Sequence, residues 1–531
     1  MTSLSRSKHL ASAPGLLLAC ALACSSASAQ TPAPKTLRLV PHADVKVLDP
    51  TFTIAYITRN FGYMVYDTLF GFDAQGVPQP QMVEKYSKSA DGKTWTFTLR
   101  AGLKFSDGSP VTSADCVASM QRWATRDNTG KALTAAGGEW KAVDARTFTL
   151  TLKEPFGLVL DGLAKASSYT AFILPERLAR LPTSAPIQEV LGSGPFVFKR
   201  DEWVPGSKVV FAKSPTYVGR TEAPSGFAGN KTAYMDRVEW LILPDANSAA
   251  AALRAGEVDV LEEVPPDNIA PLMTDPSVRI VRRGFSQGYM ALNQAQPPFN
   301  NMALRQAVMM AVNQERFTAA MGYPVNLRMP YCATLFICGS ANDTAAGAER
   351  YQPRDLNKAR QMVKDSGYKG EKVVVLVPTD IAYLNGAALI AAQTLKSIGL
   401  NVDAQSMDWS SIVSRRAKKD PVDNGGWSTY VTSAGEFDLN SPINNTNLGA
   451  ACGNTLPGWP CDEQLDKLRV AWIQQTEPAA RRAALEAFQR RAYEALPYIP
   501  VGQFSPAYAV RTSVKHSDRL WSTPNVWVLD K

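Results

Sequence analysis

Histidine is scarce in this chain, which contains only three among 531 residues. His9 lies in the amino-terminal leader, and His42 and His516 are far apart in sequence and isolated from any cysteine cluster. The sequence contains no HExxH motif, no EF-hand loop and no GxSxG elbow. These absences remove the common motifs for metal sites and nucleophilic triads. We therefore predict no catalytic residue, no metal site and no cofactor.

Concentrated charge is also missing, since charged residues make up an ordinary 20% of the chain and the net charge is only +8. Lysine and arginine form no run interleaved with aromatic residues, which is the pattern of a nucleic-acid surface. We therefore predict no nucleic-acid partner. Long apolar runs are missing as well, and the short one near the amino terminus is too short to span a membrane.

The first 29 residues have the pattern of a secretory signal peptide. Arg6 and Lys8 precede a short apolar core, and residues 27–29 form an Ala-Ser-Ala cleavage site. We predict an exported protein whose mature chain begins at Gln30. A lipobox-like sequence that ends in Cys20 leaves lipid anchoring as the alternative.

Five cysteines remain after this cleavage, and four of them form two close pairs in loop-like sequence. Export places them in an oxidising compartment. We predict disulfides between Cys332 and Cys338 and between Cys452 and Cys461, with Cys116 buried and free. Each disulfide would stabilise the fold by about 2–3 kcal/mol. A zinc site is disfavoured because the spacings are not C-x-x-C and no histidine is near.

Residues 91–122 carry the most specific local pattern. Apolar and threonine side chains alternate over residues 94–99, which predicts a half-buried strand. After a turn, Thr112 and Asp115 have the spacing of a capping box, which predicts the start of a helix. A second alternating run, at residues 147–152, has the composition to pair with the first strand.

This stretch resembles the signature of the extracytoplasmic solute-binding proteins of family 5, the dipeptide, oligopeptide and nickel-type receptors of ABC importers. Cys116 stands where that signature usually has a valine. Other segments resemble further boxes of the family, namely residues 48–50 with 66–69, residues 192–196 and residues 299–307. The resemblance covers nearly the whole chain after the leader.

The resemblance implies an α/β fold with two lobes, the large class II type of periplasmic-binding-protein fold, and an extra α/β domain. From the residues themselves, positions 373–402 are typical of a strand, a helix and a parallel strand. The boundaries that we expect are a signal peptide at 1–29, a discontinuous first lobe at 30–77, 197–292 and 503–531, the extra domain at 78–196, and a second lobe at 293–502.

Such proteins hold a solute in a cleft that closes by a hinge. We expect a monomeric periplasmic protein that binds a short peptide or another small organic solute and delivers it to an ABC permease and ATPase complex in the inner membrane. The alternative is a periplasmic hydrolase that uses two carboxylates placed by the fold. Adjacent acids such as Glu262 and Glu263 are more typical of a surface turn than of such a site.

The same resemblance indicates candidate ligand contacts. Arg415 and Arg416 follow Trp409 in a segment similar to the one that carries the carboxylate-binding arginine of dipeptide receptors. Arginine suits this role because its planar fork forms two parallel bonds to a carboxylate. The alternative for this pair is a solvated helix face. The full set of candidates is Phe52, Tyr56, Asn293, Trp409, Arg415, Arg416 and Trp427.

One departure from the family concerns the ligand's amino group. In peptide receptors the Gly-Trp segment soon carries an aspartate that pairs with this amine, but residues 427–432 contain no acid here. The first acids that follow are Glu436 and Asp438. We therefore expect recognition to depend on an acidic group of the ligand more than on a free α-amine.

Overall fold

A seven-stranded sheet collects strands from both ends of the chain. The computed structural model describes residues 33–450, 452 and 456–531, so the predicted signal peptide and Cys20 lie outside the described residues. Thr36–Val40 lies in the middle of this sheet, parallel to both of its neighbours, with Leu37 and Leu39 buried. We call the part of the chain built on this sheet the first lobe. In spatial order its strands are Val278–Arg282, Ala507–Arg511, Val260–Leu261, Thr36–Val40, Arg237–Leu241, Lys208–Lys213 and Phe196–Phe198.

A five-stranded sheet forms the second lobe. Its first two strands are parallel and are joined by the helix Ala382–Ser397, which confirms the predicted strand, helix and strand at 373–402. In spatial order the strands are Asn401–Met407, Lys372–Pro378, Thr429–Gly435, Ser286–Leu292 and Tyr498–Phe504.

The strand Ser286–Leu292 corrects one expected boundary. We expected residues up to 292 in the first lobe, but this strand pairs along its whole length with Thr429–Gly435 in the second lobe. Six of its seven residues are buried. A strand buried between two neighbours in this way belongs to their core. The other predicted domain boundaries stay predictions.

The extra domain contains a four-stranded sheet, with strands Val83–Lys88, Thr94–Leu99, Thr147–Thr151 and Glu139–Ala142. The predicted pairing of the two alternating runs is confirmed, with Phe97 opposite Phe148 and their rings stacked 5.2 Å apart. The capping box is confirmed as well: Thr112 and Asp115 exchange hydrogen bonds at the start of Ser113–Ala124. A two-stranded sheet of Phe70–Phe72 and Pro78–Pro80 lies next to this domain in sequence.

Glycines allow the chain to return from the extra domain to the first lobe. A Cβ atom on Gly192 would lie 1.8 Å from the carbonyl oxygen of Val65, and one on Gly194 would lie 2.7 Å from that of Tyr66. Only glycine permits backbones to approach this closely. The strand Phe196–Phe198 of the first lobe follows directly.

Helices cover the sheets. The α-helices are Tyr56–Val65, Ser113–Ala124, Asn128–Ala135, Val159–Leu163, Glu176–Ala179, Ala246–Ala255, Pro266–Met273, Met302–Ala311, Gln314–Ala320, Leu356–Asp365, Ala382–Ser397, Trp409–Arg415, Glu436–Leu439, Glu463–Gln474 and Pro478–Ala495. Short 3-10 helices occur at Arg200–Glu202, Val325–Leu327, Ala348–Tyr351, Val422–Asn424, Thr446–Leu448, Ser517–Arg519 and Val526–Val528. None of the helices within the described ranges combines the length and apolarity needed to cross a membrane.

Both predicted disulfides are present in the structure. One joins Cys332 to Cys338 and the other joins Cys452 to Cys461. Cys116 is a buried free thiol on the helix Ser113–Ala124, and burial raises the pKa of this thiol well above its usual value. A thiol in such a site is a poor nucleophile, so Cys116 serves as a small core residue.

Two crossings of the chain join the lobes. Residues 283–285 connect Val278–Arg282 to Ser286–Leu292, and residues 505–506 connect Tyr498–Phe504 to Ala507–Arg511. The crossings lie side by side, because the Arg283 amide donates a hydrogen bond of 2.8 Å to the Pro506 carbonyl.

Candidate ligand-binding cleft

Two adjoining cavities lie between the lobes. The larger has a volume of about 400 Å³ and the smaller about 260 Å³. They share the wall residues Phe285, Glu436 and Phe437, so they form two compartments of one cleft. Clefts of this total size accommodate small-molecule ligands.

Charged groups of both signs line the smaller cavity. The first lobe contributes His42, Tyr56, Arg59 and Glu263, and Arg283 reaches it from the first crossing. The second lobe contributes the end of the strand Thr429–Gly435, the start of the helix Glu436–Leu439, and aromatic rings from Tyr323, Tyr383 and Phe504. An amphiphilic or zwitterionic molecule fits such a wall better than a purely apolar one does.

A buried carboxylate fixes the first-lobe wall. Glu262 is 1% exposed and accepts hydrogen bonds from the His42 amide and ring, from Asn60 at 2.8 Å and from Arg283 at 3.0 Å. Burial alone would raise the pKa of Glu262, but the charges and hydrogen bonds of His42 and Arg283 outweigh it and lower this pKa to about 2. Glu262 is thus a buried ion-pair residue, and the expectation of a surface turn was wrong for it.

Arg59 is a buried arginine in the smaller cavity that lacks an acidic partner. Only 6% of it is exposed, and within the described part of the chain no carboxylate lies within 4.0 Å of its guanidinium. It donates to Asn60 at 3.0 and 3.2 Å and lies 4.5 Å from the centre of the Tyr56 ring. Burial, with a contribution from Arg283, lowers the pKa of Arg59 to about 10. The Glu262 carboxylate acts on Arg59 only from beyond ion-pair distance. A buried charge without a direct ion-pair partner is costly, which makes this position suited to an anion.

Two acids of the second lobe reach across the cleft from the helix Glu436–Leu439. Glu436 accepts hydrogen bonds from the Ser522 hydroxyl and from the Phe285 amide, and Asp438 accepts one from the Tyr56 hydroxyl. Burial raises the pKa of Asp438 to about 7 and also raises that of Glu436. Asp438 therefore changes its protonation close to neutral pH while it bridges the lobes.

The larger cavity lies among three parts of the chain. The first lobe contributes Phe72, residues 74–76 and Trp521, and the extra domain contributes Leu158 and Asp161. The second lobe contributes residues 337–342, 436–437, 440–441 and 443–444, and Trp472. Within the described ranges, no group of three or more histidine, cysteine or acidic side chains is arranged to hold a metal ion.

Of the residues predicted from sequence, Tyr56 lines the smaller cavity. Phe52 is half-buried, and the Arg126 guanidinium lies 5.9 Å from its ring centre. Asn293 is buried and donates a hydrogen bond of 2.9 Å to the Trp427 carbonyl. Phe52 and Asn293 line neither cavity.

The predicted arginines and tryptophans form a separate group within the second lobe. Trp427 is fully buried and donates to the Lys418 carbonyl. Arg415 donates to the Gly426 carbonyl at 2.7 Å, and Arg416 lies 5.6 Å from the Trp409 ring centre. These residues line neither cavity in this arrangement. Their contact with a ligand stays a prediction.

Sequence reasoning missed Arg59, Arg283 and Asp161. The sequence did contain a signal for Arg283. A glycine, Gly284, and a strand follow it, and this pattern is compatible with a chain crossing between lobes. The Glu262–Glu263 pair also follows a buried strand, Val260–Leu261. Arg59 carried no signal, since it lies on a short helix whose residues after Tyr56 are all buried.

Two sheets joined by two crossings, with a cleft between them, define a two-lobed solute-binding protein. The sequence profile of the bacterial extracellular solute-binding proteins, family 5, matches residues 77–455. The chain therefore belongs to this family, as the resemblance predicted.

Relatives and solved structures agree with this assignment. A probable peptide ABC transporter periplasmic-binding protein of Sinorhizobium fredii is 37% identical, over 89% of each chain. The glutathione-binding protein GsiB of Salmonella typhimurium is 26% identical, over 91% of this chain and 92% of its own. The binding protein AgaA of A. tumefaciens R10, solved with agropinic acid, has the same fold with a TM-score of 0.73 at 23% identity. That match covers 93% of this chain and 98% of AgaA.

Proposed function

We propose that this protein is the periplasmic substrate-binding component of an ABC importer for a short peptide or a similar small organic solute. The observation that carries the proposal is the cleft of two cavities between lobes that two chain crossings join. Solute receptors close such lobes over their ligand. The names of the relatives from Sinorhizobium fredii and Salmonella typhimurium support a ligand that contains peptide bonds.

We further propose that the mature protein acts as a monomer and hands its ligand unchanged to a permease and ATPase complex in the inner membrane. The predicted leader supports export to the periplasm. A hydrolase on this fold would release products, so recovery of the intact solute from the protein separates the two functions.

Arg59 is the arginine whose surroundings best suit a ligand carboxylate. Its guanidinium is buried in the cleft wall without an acidic partner, while Arg283 already pairs with Glu262 and Glu263. A ligand carboxylate at Arg59 would supply the missing counter-charge. Arg415 and Arg416 remain the candidates that the family resemblance indicates, so the experiment must separate three arginines.

The test is calorimetric titration of the wild type and of Arg59→Ala, Arg415→Ala and Arg416→Ala with dipeptides, their N-acetyl forms and their carboxyl-terminal amides. We expect amidation to weaken binding more than acetylation does. Arg59→Ala should cost about 2–5 kcal/mol of binding free energy, since it removes the partner of a buried charge. The variant should also make the acid and amide forms bind alike.

Other outcomes have distinct meanings. A loss confined to Arg415→Ala or Arg416→Ala would place the carboxylate at the segment after Trp409. Stronger loss on acetylation than on amidation would contradict the expected dependence on an acidic group and would favour Asp438 as an amine contact. Failure of every solute in a broad panel to bind would contradict the receptor function.

A further inference from the structure

We infer that the larger cavity of the cleft is a subsite for a positively charged group of the ligand, an ammonium or guanidinium carried on a chain that also contains amide groups. The inference rests on the proposed function and specifies the class of ligand. It assigns different ligand groups to the two compartments. The wall of the smaller one holds Arg59 and Arg283 beside its acids, whereas the charged residues on the wall of the larger one are acids only.

The charges on the wall of the larger cavity are of one sign. Asp161 and Glu436 line it, and no lysine, arginine or histidine is among its described wall residues. Asp161 lies on the helix Val159–Leu163 of the extra domain, and no described side chain pairs with its carboxylate. The cation that acts on it is Arg481, which is not a wall residue. Its guanidinium is engaged with the Gly157 carbonyl and lies 5.7 Å from the centre of the Trp472 ring. A wall whose own charged side chains are all acids favours a positively charged occupant.

Unpartnered polar atoms on the same wall indicate that a polar group belongs there. Trp472 is 2% exposed, and its buried indole Nε1 has no hydrogen-bond partner. The buried Oδ1 of Asn444 and the buried hydroxyl of Ser340 also lack partners. Buried polar groups in folded proteins are normally satisfied, so each such atom requires an explanation. Asn444 Oδ1 can accept from an ammonium, and the Trp472 N–H can donate to a carbonyl oxygen of the same ligand.

Aromatic rings complete the wall. Phe437 and Trp521 both line the larger cavity and pack edge to face, with ring centres 5.0 Å apart. Phe72 and Phe285 add two further rings to the same wall. Faces of aromatic rings attract cations, and this attraction strengthens when water is excluded. Carboxylates and aromatic faces around a space of about 400 Å³ are surroundings that suit a lysine-like or arginine-like side chain.

The experiment starts from a mixture, because the ligand is unidentified. The protein, freed of bound solute, is incubated with an equimolar library of peptides of two to five residues together with amino acids and polyamines. Bound molecules are identified by mass spectrometry after gel filtration. The peptide that binds most tightly is then titrated in three forms. These forms carry lysine, norleucine or glutamate at the position where substitution changes the affinity most.

We expect the molecules bound to the wild type to be enriched in cationic members of the library. The lysine form should bind at least about tenfold more tightly than the norleucine form, whose side chain lacks only the terminal ammonium. Asp161→Asn should bring the two affinities within about threefold, through loss of lysine binding, and Glu436→Gln should reduce the ratio in the same direction. Glu154→Gln is the matched control. It removes one negative charge from an exposed position in the same domain and should leave the ratio unchanged.

Thermal unfolding of each variant shows whether the fold is retained. If Asp161→Asn does not fold, the Glu436→Gln ratio and the preferences of the wild type still decide the question. Equal affinity of the wild type for the lysine and norleucine forms would overturn the inference, and so would an unchanged affinity ratio in both variants. If uncharged ligands still bind in that case, the receptor function is left intact. Failure of every library member to bind would contradict the proposed function and this inference with it.

Discussion

Arg283 links three parts of the molecule through one side chain. Its guanidinium pairs with Glu262 at 3.0 Å and Glu263 at 2.9 Å, and its Nε donates to the Ser522 carbonyl. Burial alone would lower the pKa of Arg283, but Glu262 and Glu263 raise it above its usual value. The two carboxylates together therefore more than offset the effect of burial on the charged form of Arg283. Removal of Glu262 leaves the buried Arg283 with only the exposed Glu263 as its acidic partner, which is costly because the buried counter-charge is lost.

Replacement of Glu262 by glutamine should reveal this cost. We expect Glu262→Gln to lower the free energy of unfolding by about 3–5 kcal/mol at pH 7, because Arg283 loses its buried counter-charge. The pKa of Glu262 is lowered from its ordinary value of 4.5 to about 2. The stabilisation is therefore complete above the ordinary value and is lost as the pH falls toward the lower one. Urea unfolding at pH 7, 5 and 3 should show that the wild type and the variant converge at acidic pH.

Glu263→Gln serves as the control for this measurement. The side chain of Glu263 is 42% exposed and forms one of the Arg283 ion pairs. Exposed ion pairs contribute little, so we expect a change below about 1 kcal/mol. Equal destabilisation by both substitutions, or a Glu262→Gln effect that does not change with pH, would show that the buried network does not act as described.

At the scale of single elements, local pattern was sufficient where local interactions decide the structure. The alternation at Thr94–Leu99 and the Thr112–Asp115 spacing predicted a strand and a helix start, since both depend on residues a few positions apart. The close cysteine pairs likewise predicted both disulfides. The strand Ser286–Leu292 was assigned to the wrong lobe, because its partners lie more than 130 residues further along the chain.

The site itself depends on contacts that no local pattern encodes. Tyr56 and Asp438 meet although 382 positions separate them. Glu262 contacts Asn60 across 202 positions. Family resemblance could indicate the segments around Trp409 and Trp427 but not the side chains that the tertiary fold brings to the cavities. Arg59 and Asp161 became visible as candidates only when their burial and their lack of acidic or basic partners could be seen.

The Cys332–Cys338 disulfide allows a test at the scale of one loop. It closes a short loop that ends at Cys338. Residues 337–342, which include the end of this loop and the segment directly after it, form part of the wall of the larger cavity. We expect the double variant Cys332→Ser/Cys338→Ser to lose about 2–3 kcal/mol of stability through greater freedom of the unfolded chain. It should also weaken binding of the solute recovered from the library, because the wall becomes less ordered. Urea unfolding and calorimetric titration measure the two effects.

The second disulfide provides the matched comparison. Cys452 and Cys461 close a loop of similar size, but neither lines a cavity. Cys452→Ser/Cys461→Ser should therefore cost similar stability and leave the affinity unchanged. Equal loss of affinity in both double variants would mean that the Cys332–Cys338 loop has no specific part in binding.

At the scale of the whole molecule, residues of both chain crossings form part of the wall of the cleft. Gly284 lies in the first crossing with a φ of +90°, and a Cβ atom there would lie 2.1 Å from the Ser522 hydroxyl and 2.6 Å from a Glu436 carboxylate oxygen. The position therefore requires glycine. Because Glu436 also lines both cavities, a change of angle between the lobes must change the shape of the cleft. Hinges of solute receptors are a few such residues at the ends of elements.

Direct contacts across the cleft show that the described arrangement is closed. Tyr56 donates to Asp438 and Ser522 donates to Glu436, both from the first lobe to the second. A third contact lies at the far end, where the Gly157 amide of the extra domain donates a hydrogen bond of 2.9 Å to the Ile473 carbonyl of the second lobe. The extra domain therefore takes part in closure and is not a passive insertion.

Gly157→Ala should prevent this closure without harming either domain. A Cβ atom at Gly157 would lie 2.1 Å from the Gln475 carbonyl oxygen and 2.6 Å from the Arg481 guanidinium, both in the second lobe. Backbone cannot give way as a flexible side chain does, so the extra domain and the second lobe must stay apart. Alanine at this position meets no obstacle once the lobes separate. We therefore expect the unfolding temperature of the ligand-free protein to be unchanged and the ligand affinity to fall at least about tenfold, or about 1.4 kcal/mol.

Small-angle scattering with and without the solute recovered from the library measures the closure directly. The wild type and the exposed control Glu154→Ala should contract on ligand addition, whereas Gly157→Ala should keep a larger radius of gyration at saturating ligand. If Gly157→Ala contracts and binds like the wild type, the contact between Gly157 and Ile473 is not part of the bound state. The lobes would then close on the solute through contacts such as those of Tyr56 and Glu436, and the contact between Gly157 and Ile473 would have no role in retaining it.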